Sequence, residues 1–194
     1  MTSLRSHQRE WKKYIDLRID YPKNTVRRNP ARLEHELSVS MTSETGKPIN
    51  QSVAQICKCI TMLDYMAENT LEYFETETVG TKAMKSYIRF DPIGVVELIM
   101  PWNYPLWQVM REAIPALIAG NAILLKHSSI VSGTSMLIHE IMETPPFVSV
   151  IASGPDALEA VDFVDDVSFT GYSSVGAMIC ERAGRAIKKS VLEI

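Results

Sequence analysis

The sequence predicts an α/β fold: a Rossmann-like, doubly wound parallel sheet preceded by an N-terminal helical pair. Three observations carry this. The stretch from Tyr87 to Lys126 reads strand, sharp loop, helix, strand. Its two strands are continuous apolar runs rather than alternating ones, the pattern of strands buried on both faces. After Lys126, helical stretches and short apolar strands continue to alternate, as successive βαβ units with right-handed crossovers require.

Residues 1–80 read as helices. Leu33, Leu37 and Met41 mark one face of a helix that follows Asn29-Pro30 and stops at Gly46-Lys47-Pro48, where glycine and then proline end it. A longer helix starts near Asn50, with Val53, Ile56, Ile60, Leu63 and Met66 at three- and four-residue spacing, and runs to about Phe74. Met84 to Phe90 is a candidate strand leading into the sheet. Residues 81–194 then form the βα sheet. Ile93 to Met100 is its first long strand, stopped by Pro101-Trp102-Asn103-Tyr104-Pro105. Leu106 to Ile118 is a helix, and Gly120-Asn121 turns the chain into the strand Ala122–Leu125, which ends at Lys126. Ser132 to Met142 is helical, Pro145-Pro146 breaks it, and Phe147 to Ile151 is a strand. Gly154-Pro155-Asp156 opens a short helix through Phe163, with proline in the first turn. Val167 to Phe169 is a short strand. Gly171 to Gly176 turns into a helix that ends near Arg185, and Lys189 to Ile194 is the final strand. A natural domain usually brings its terminus out through polar residues, so an end on an apolar strand leads us to expect that something follows.

The chain has 194 residues, 46% of them hydrophobic and 22% charged, ordinary for a globular protein with a sizeable core. A net charge of −3 gives no electrostatic support for nucleic acid or an anionic membrane surface as partner. The apolar region Ala113–Leu125 is interrupted by Pro115, Gly120 and Asn121 and is too short to span a bilayer. The basic start lacks an apolar signal core, and Glu10 and Asp16 argue against a mitochondrial leader, so a cytoplasmic location is expected. Cys57, Cys59 and Cys180 form no even framework. Cys57 and Cys59 lie about 200° apart around a helix and cannot share a metal; no metal site is expected, and the thiols are expected to be buried and reduced.

Ligands of such sheets sit outside the carboxyl ends of the strands. Asn103 stands there: its amide can donate to an oxyanion, or it can satisfy loop backbone groups. Lys126 can pair with a phosphate or a ribose hydroxyl, or simply cap a strand in solvent. Phe169-Thr170-Gly171-Tyr172-Ser173-Ser174-Val175-Gly176 is strand, glycine turn and helix start, and offers free N–H groups to a pyrophosphate although it is not GxGxxG. Glu193 is a carboxylate in an apolar strand. Buried, it would have a raised pKa suited to a general base; on an edge it would face water. His127, Ser128 and Ser129 show no Ser–His–acid spacing.

Five segments together resemble the aldehyde dehydrogenase superfamily: Glu44-Thr45-Gly46-Lys47-Pro48; Pro101-Trp102-Asn103-Tyr104-Pro105-Leu106-Trp107; Ala119-Gly120-Asn121 with Leu125-Lys126; Phe169-Thr170-Gly171 with Gly176; and Lys189 to Glu193. The resemblance covers almost the entire chain. Lys126-His127, where the family usually has Lys-Pro, and Pro105 to Arg111 are most similar to a subgroup active on succinate semialdehyde. The resemblance implies an NAD(P)-binding domain for residues 1–194. Asn103 would stabilise an oxyanion, Lys126 would contact the adenosine ribose, Gly171–Gly176 would hold the pyrophosphate, and Glu193 would be the general base. It also implies a cofactor lining of Ile99, Met100, Pro101, Trp102, Ser128, Ser129, Gly154, Phe169, Thr170, Tyr172 and Gly176. In that chemistry a cysteine thiolate attacks the aldehyde, hydride passes to the nicotinamide, and the base activates water to hydrolyse the thioester.

Four departures qualify the match. The nucleophilic cysteine belongs to a catalytic domain that these residues lack, and none of the three cysteines matches it. Ser129 stands where a glutamate commonly bonds the ribose 2′-hydroxyl, which removes repulsion against a 2′-phosphate and favours NADP over NAD. Tyr172 replaces a serine beside the pyrophosphate. The connection Thr144-Pro145-Pro146-Phe147 and the N-terminal segment are abbreviated. The expected function is therefore the NAD(P)-binding half of an aldehyde dehydrogenase, inactive alone and prone to associate through its uncovered face. The alternative is a non-catalytic nucleotide-binding or interaction remnant of that fold.

Overall fold

The computed structural model describes residues 2–23, 34–142, 146–150 and 154–194. In chain order the helices are α1 (Thr2–Trp11), α2 (Ile15–Tyr21), α3 (Glu34–Thr45) and α4 (Ile49–Phe74); then α5 (Pro105–Ile118), α6 (Ser132–Met142), α7 (Gly154–Ala160) and α8 (Ser173–Arg185). The strands are β1 (Glu77–Thr78), β2 (Tyr87–Ile88), β3 (Val95–Met100), β4 (Ala122–His127), β5 (Phe147–Val150), β6 (Asp166–Thr170) and β7 (Lys189–Glu193). No helix among the described residues is long and apolar enough to cross a membrane.

The main sheet has the order β5-β4-β3-β6-β7, all parallel. From β3 the chain winds outward through β4 and β5, then returns to the other side of β3 for β6 and β7, so the winding reverses between β3 and β6. One face carries Val96, Leu98 and Met100 of β3 with Ile123 and Leu125 of β4, packed under α5. The paired helices α3 and α4 lie in the same core through Leu37, Met41, Ile56 and Leu63. On the opposite face Ile99, Val167 and Phe169 pack under Ala157 of α7 and Ile179 and Ala183 of α8. Both faces are covered, which is why the strands read as continuous apolar runs.

The expected architecture is met, with three differences. The N-terminal helical pair, α3 and α4, is preceded by two further helices that draw the terminus across the far end of α5. There Trp11 Nε1 donates to the Leu117 carbonyl at 2.7 Å, an Arg18 nitrogen to the Ile118 carbonyl at 2.6 Å, and Gln8 Nε2 to the Gly120 carbonyl at 2.9 Å. They meet carbonyls at and just past the helix C-terminus, where intrahelical N–H donors run out. The candidate strand Met84–Phe90 contributes only Tyr87–Ile88, which pairs antiparallel with Glu77–Thr78 in a separate two-stranded sheet rather than leading into the main one. The cysteines divide: Cys59 is buried, its thiol pushed up to about 12 by burial, whereas Cys57 and Cys180 are exposed. The helix starting near Leu33, the break at Pro145 and the strand end at Ile151 fall on positions outside the described residues.

Candidate functional site

The strand register brings the candidate residues together. Ile99 lies opposite Lys126 and Phe169, Met100 opposite His127, and Thr170 opposite Glu193. The loop after β3, the turn after β4, the β6–α8 turn and the end of β7 therefore leave the sheet on one edge. Asn103 and Gly171 flank the point where the winding reverses, the crevice in which such sheets bind ligands.

Asn103 is held in two ways. Its Oδ1 accepts from the Tyr104 N–H at 3.0 Å, so the amide does serve its own loop. That bond leaves Nδ2, which has no partner among the described residues, as a donor facing outward. The Asn103 carbonyl accepts from the Lys47 ammonium at 2.5 Å, and the same ammonium lies 4.8 Å from the Tyr104 ring centroid. Burial lowers the Lys47 pKa. The helix behind the loop lacks a side-chain cap of its own. Gln55 of α4 supplies it, its Oε1 accepting from Leu106 N at 2.8 Å and Trp107 N at 2.9 Å. Lys58 lies 3.8 Å from the Trp107 ring centroid. The Glu44-to-Pro48 motif is explained in the same terms. Glu44 caps α6 by accepting from Gly133 N at 2.7 Å, Thr134 N at 3.0 Å and Thr134 Oγ1 at 2.6 Å. Gly46, at φ 73°, then turns the chain so that Lys47 reaches the Asn103 loop. Sequence places Glu44 and Lys47 in a family motif but gives neither them nor Gln55 a partner, because those partners lie far along the chain.

Lys126 is half-buried at the end of β4, and Ser129 is exposed one turn on. Ser128 caps the following 3-10 turn, Ser129–Val131. Met100 and Ile99 are buried in opposite faces of the sheet, while Trp102 is exposed beside Asn103. At the β6–α8 turn, a Cβ on Gly171 would come within 2.6 Å of the Phe169 ring, so only glycine fits. Gly176 is buried against the same ring. The first turn of α8 has no side-chain cap at Tyr172. Its open N–H groups and macrodipole suit a phosphate group. The Tyr172 ring is 80% exposed, turned to solvent rather than packed on the turn. Gly154 begins α7 on the same side of the sheet as α8.

Of its two alternatives Glu193 takes the second: it is exposed on an edge strand, facing water. Its Oε2 forms an ion pair with Arg111 of α5 and accepts from Thr170 Oγ1 at 3.1 Å. The carboxylate that is buried is Glu97, in the middle of β3. It is fully inaccessible, with neither oxygen hydrogen-bonded among the described residues. Burial pushes its pKa up to about 8, opposed by the charge of Lys126. The signal was present in the sequence: a carboxylate inside a strand covered on both faces has no route to water.

The aldehyde dehydrogenase family model matches residues 7–194. A Synechocystis protein named a probable succinate-semialdehyde dehydrogenase [NADP(+)] is 40% identical over 166 residues, covering 82% of this chain and 37% of its own length. The succinate semialdehyde dehydrogenase [NAD(P)+] of Escherichia coli is 34% identical over 194 residues, covering 96% of this chain and 42% of its own. The crystal structure of a succinic semialdehyde dehydrogenase from Streptococcus pyogenes in complex with NADP+ superposes with a TM-score of 0.91 at 26% identity, over 98% of this chain and 44% of that one. This chain thus spans about two-fifths of the length of the relatives it matches, 37% and 42% for the two proteins above. A family match over nearly every residue, on a sheet whose carboxyl edge gathers Asn103, Lys126, Gly171 and Glu193, places this chain in the aldehyde dehydrogenase family.

Proposed function

We propose that this chain is the dinucleotide-binding part of an aldehyde dehydrogenase acting on succinate semialdehyde, that it prefers NADP to NAD, and that by itself it oxidises no aldehyde. The observation that carries the reading is the convergence of the Asn103 loop, Lys126, the β6–α8 turn and Glu193 on one edge of the sheet. The similarity to proteins bearing that substrate's name supports the choice of aldehyde.

The residues present fit a dinucleotide. The uncapped first turn of α8 offers backbone N–H groups to a pyrophosphate, and Gly171 lets it approach. The Lys126 ammonium and the Ser128 and Ser129 hydroxyls would hold the adenosine ribose. With a hydroxyl rather than a carboxylate at Ser129, a 2′-phosphate meets no like charge there and finds a cation in Lys126. When bound, the dinucleotide supplies the hydride acceptor. Asn103 Nδ2 would donate to the oxyanion that develops on the substrate carbonyl, with Lys47 and Gln55 fixing the loop behind it. Glu193 would take a proton from the hydrolytic water once released from Arg111. In this reading residues 1–80 form the supporting helical layer and residues 81–194 carry the site, in a cytoplasmic protein.

A second reading, a non-catalytic nucleotide-binding protein, is favoured by the cysteines. Cys57 and Cys59 lie on α4 and Cys180 in mid-α8, and none stands at the carboxyl edge. Calorimetry with NADP+ and NAD+, followed by assay with succinate semialdehyde, tests both readings. The expected result is binding that favours NADP+, weakened about tenfold in Lys126→Ala, the loss of one charged contact, with no NADPH formed. Measurable NADPH formation would refute the inactive-alone reading; tight NAD+ binding with none for NADP+ would refute the cofactor preference.

A further inference from the structure

We infer that His127 is a positioning residue: its neutral ring holds the Asn103 loop in register with the Ser128–Ser129 turn, and protonation of Nδ1 releases its Ser128 end. The consequence for cofactor binding rests on the dinucleotide reading above. His127 ends β4 and is 3% exposed beneath the first turn of α5. Its Nε2 lies 2.9 Å from the Pro105 carbonyl, two residues past Asn103. Its Nδ1 lies 2.9 Å from the Ser128 N–H, at the start of the ribose-side turn. A carbonyl only accepts and an amide N–H only donates, so both bonds are made in one form alone, the Nε2–H tautomer. One ring therefore spans the loop that carries the oxyanion donor and the turn that faces the ribose. The family's usual proline at this position could make neither bond.

A proton on Nδ1 would set an N–H against the Ser128 N–H, leaving Ser128 only its 3.0 Å bond to the Met100 carbonyl. The surroundings decide how readily that happens. Burial dominates and lowers the His127 pKa from its usual 6.5; the Pro105 carbonyl, Glu44 at the end of α3 and the Met100 carbonyl favour the charged form, and the neighbouring Lys126 opposes it. Neither the first turn of α5, Pro105 to Gln108, nor the 3-10 turn Ser129–Val131 carries an ionisable side chain. Lys47 and Lys58, the cations of the helical layer nearest this loop, are occupied by the Asn103 carbonyl and the Trp107 ring.

The test uses the whole chain and its His127→Gln variant, whose amide can donate to Pro105 but does not titrate. Nitrogen-15 spectra report the tautomer, and amide hydrogen exchange, corrected for intrinsic rates, is followed over 101–107 and 126–131 from about pH 8 to about pH 4.5. The expected wild-type result is the Nε2–H tautomer near neutrality, a titration midpoint below the usual 6.5, and a loss of protection over 126–131 with that midpoint, while 101–107, still held through Pro105, changes less. His127→Gln should show no such transition. NADP+ affinity should fall about fivefold across the same transition in the wild type, the equivalent of one hydrogen bond, and stay level in the variant. The Nδ1–H tautomer, or identical exchange profiles in the two proteins, would overturn the inference. Absence of NADP+ binding near neutrality would instead refute the cofactor reading and leave the tautomer and exchange measurements to decide the role of His127.

Discussion

Glu97 is the residue at which local chemistry and fold disagree most. Its folded pKa of about 8 stands well above the ordinary 4.5, so the native state holds a proton that the unfolded chain has released. Stability is then highest below the unfolded value and falls as pH rises from about 4.5 to about 8. The penalty at the alkaline end is on the order of 5 kcal/mol. Glu97→Gln should remove this slope, and Glu97→Leu should remove the slope and also raise stability, since its neighbours across the sheet are Leu124 and Val167. Urea denaturation at acidic, neutral and alkaline pH measures it. Parallel curves for wild type and Glu97→Gln would show that the carboxylate finds a counter-charge or water in the native state. Asn103 shows the opposite relation. Its two alternatives, loop residue and oxyanion donor, are both available to one amide, because Oδ1 serves the loop and Nδ2 does not.

At the scale of elements, the helix ends give the sharpest expectations. α8 closes with Ile187 at φ 55°, its N–H on the Gly184 carbonyl and the Lys188 N–H on the Ala183 carbonyl. This left-handed position after a helix is normally glycine, and a β-branched side chain there costs about 1 kcal/mol. Ile187 is 95% exposed, so Ile187→Gly gives up no packing and should raise the melting temperature. An unchanged or lower value would mean that the helix end relaxes in solution. The start of α6 depends instead on Glu44, about ninety positions away, through three hydrogen bonds. Glu44→Ala should cost about 2 kcal/mol in urea denaturation, and Glu44→Gln less, because an amide oxygen can still accept. A wild-type-like Glu44→Ala would count against the cap.

At the scale of the molecule, the two faces of the sheet are covered and its β7 edge is not. Among the described residues β7 pairs with β6 alone, and Val191, Ile194, Tyr172 and Met178 are exposed along that side. An open strand edge beside apolar surface promotes association. Light scattering should show mass rising with concentration, and Val191→Lys should reduce the rise. A clean monomer at high concentration would contradict this.

The sequence by itself determined the alternation of strands and helices from Ile93 onward, the parallel sheet and the edge at which the candidate residues gather. These follow from local signals: β-branched runs, helical spacing, and glycines and prolines at the breaks. Through motif resemblance it also named Asn103, Lys126, Gly171 and Glu193. Tertiary structure alone decided which side chains hold those residues and which are buried. Lys47 and Gln55 meet the Asn103 loop, and Arg111 meets Glu193, across more than fifty residues of chain. No local pattern encodes such pairings. Two glutamates in apolar strands, Glu97 and Glu193, look alike in sequence, yet only Glu97 is buried, because β3 lies at the centre of the sheet and β7 at its edge. Strand order, set by long-range pairing, decides which carboxylate keeps its water.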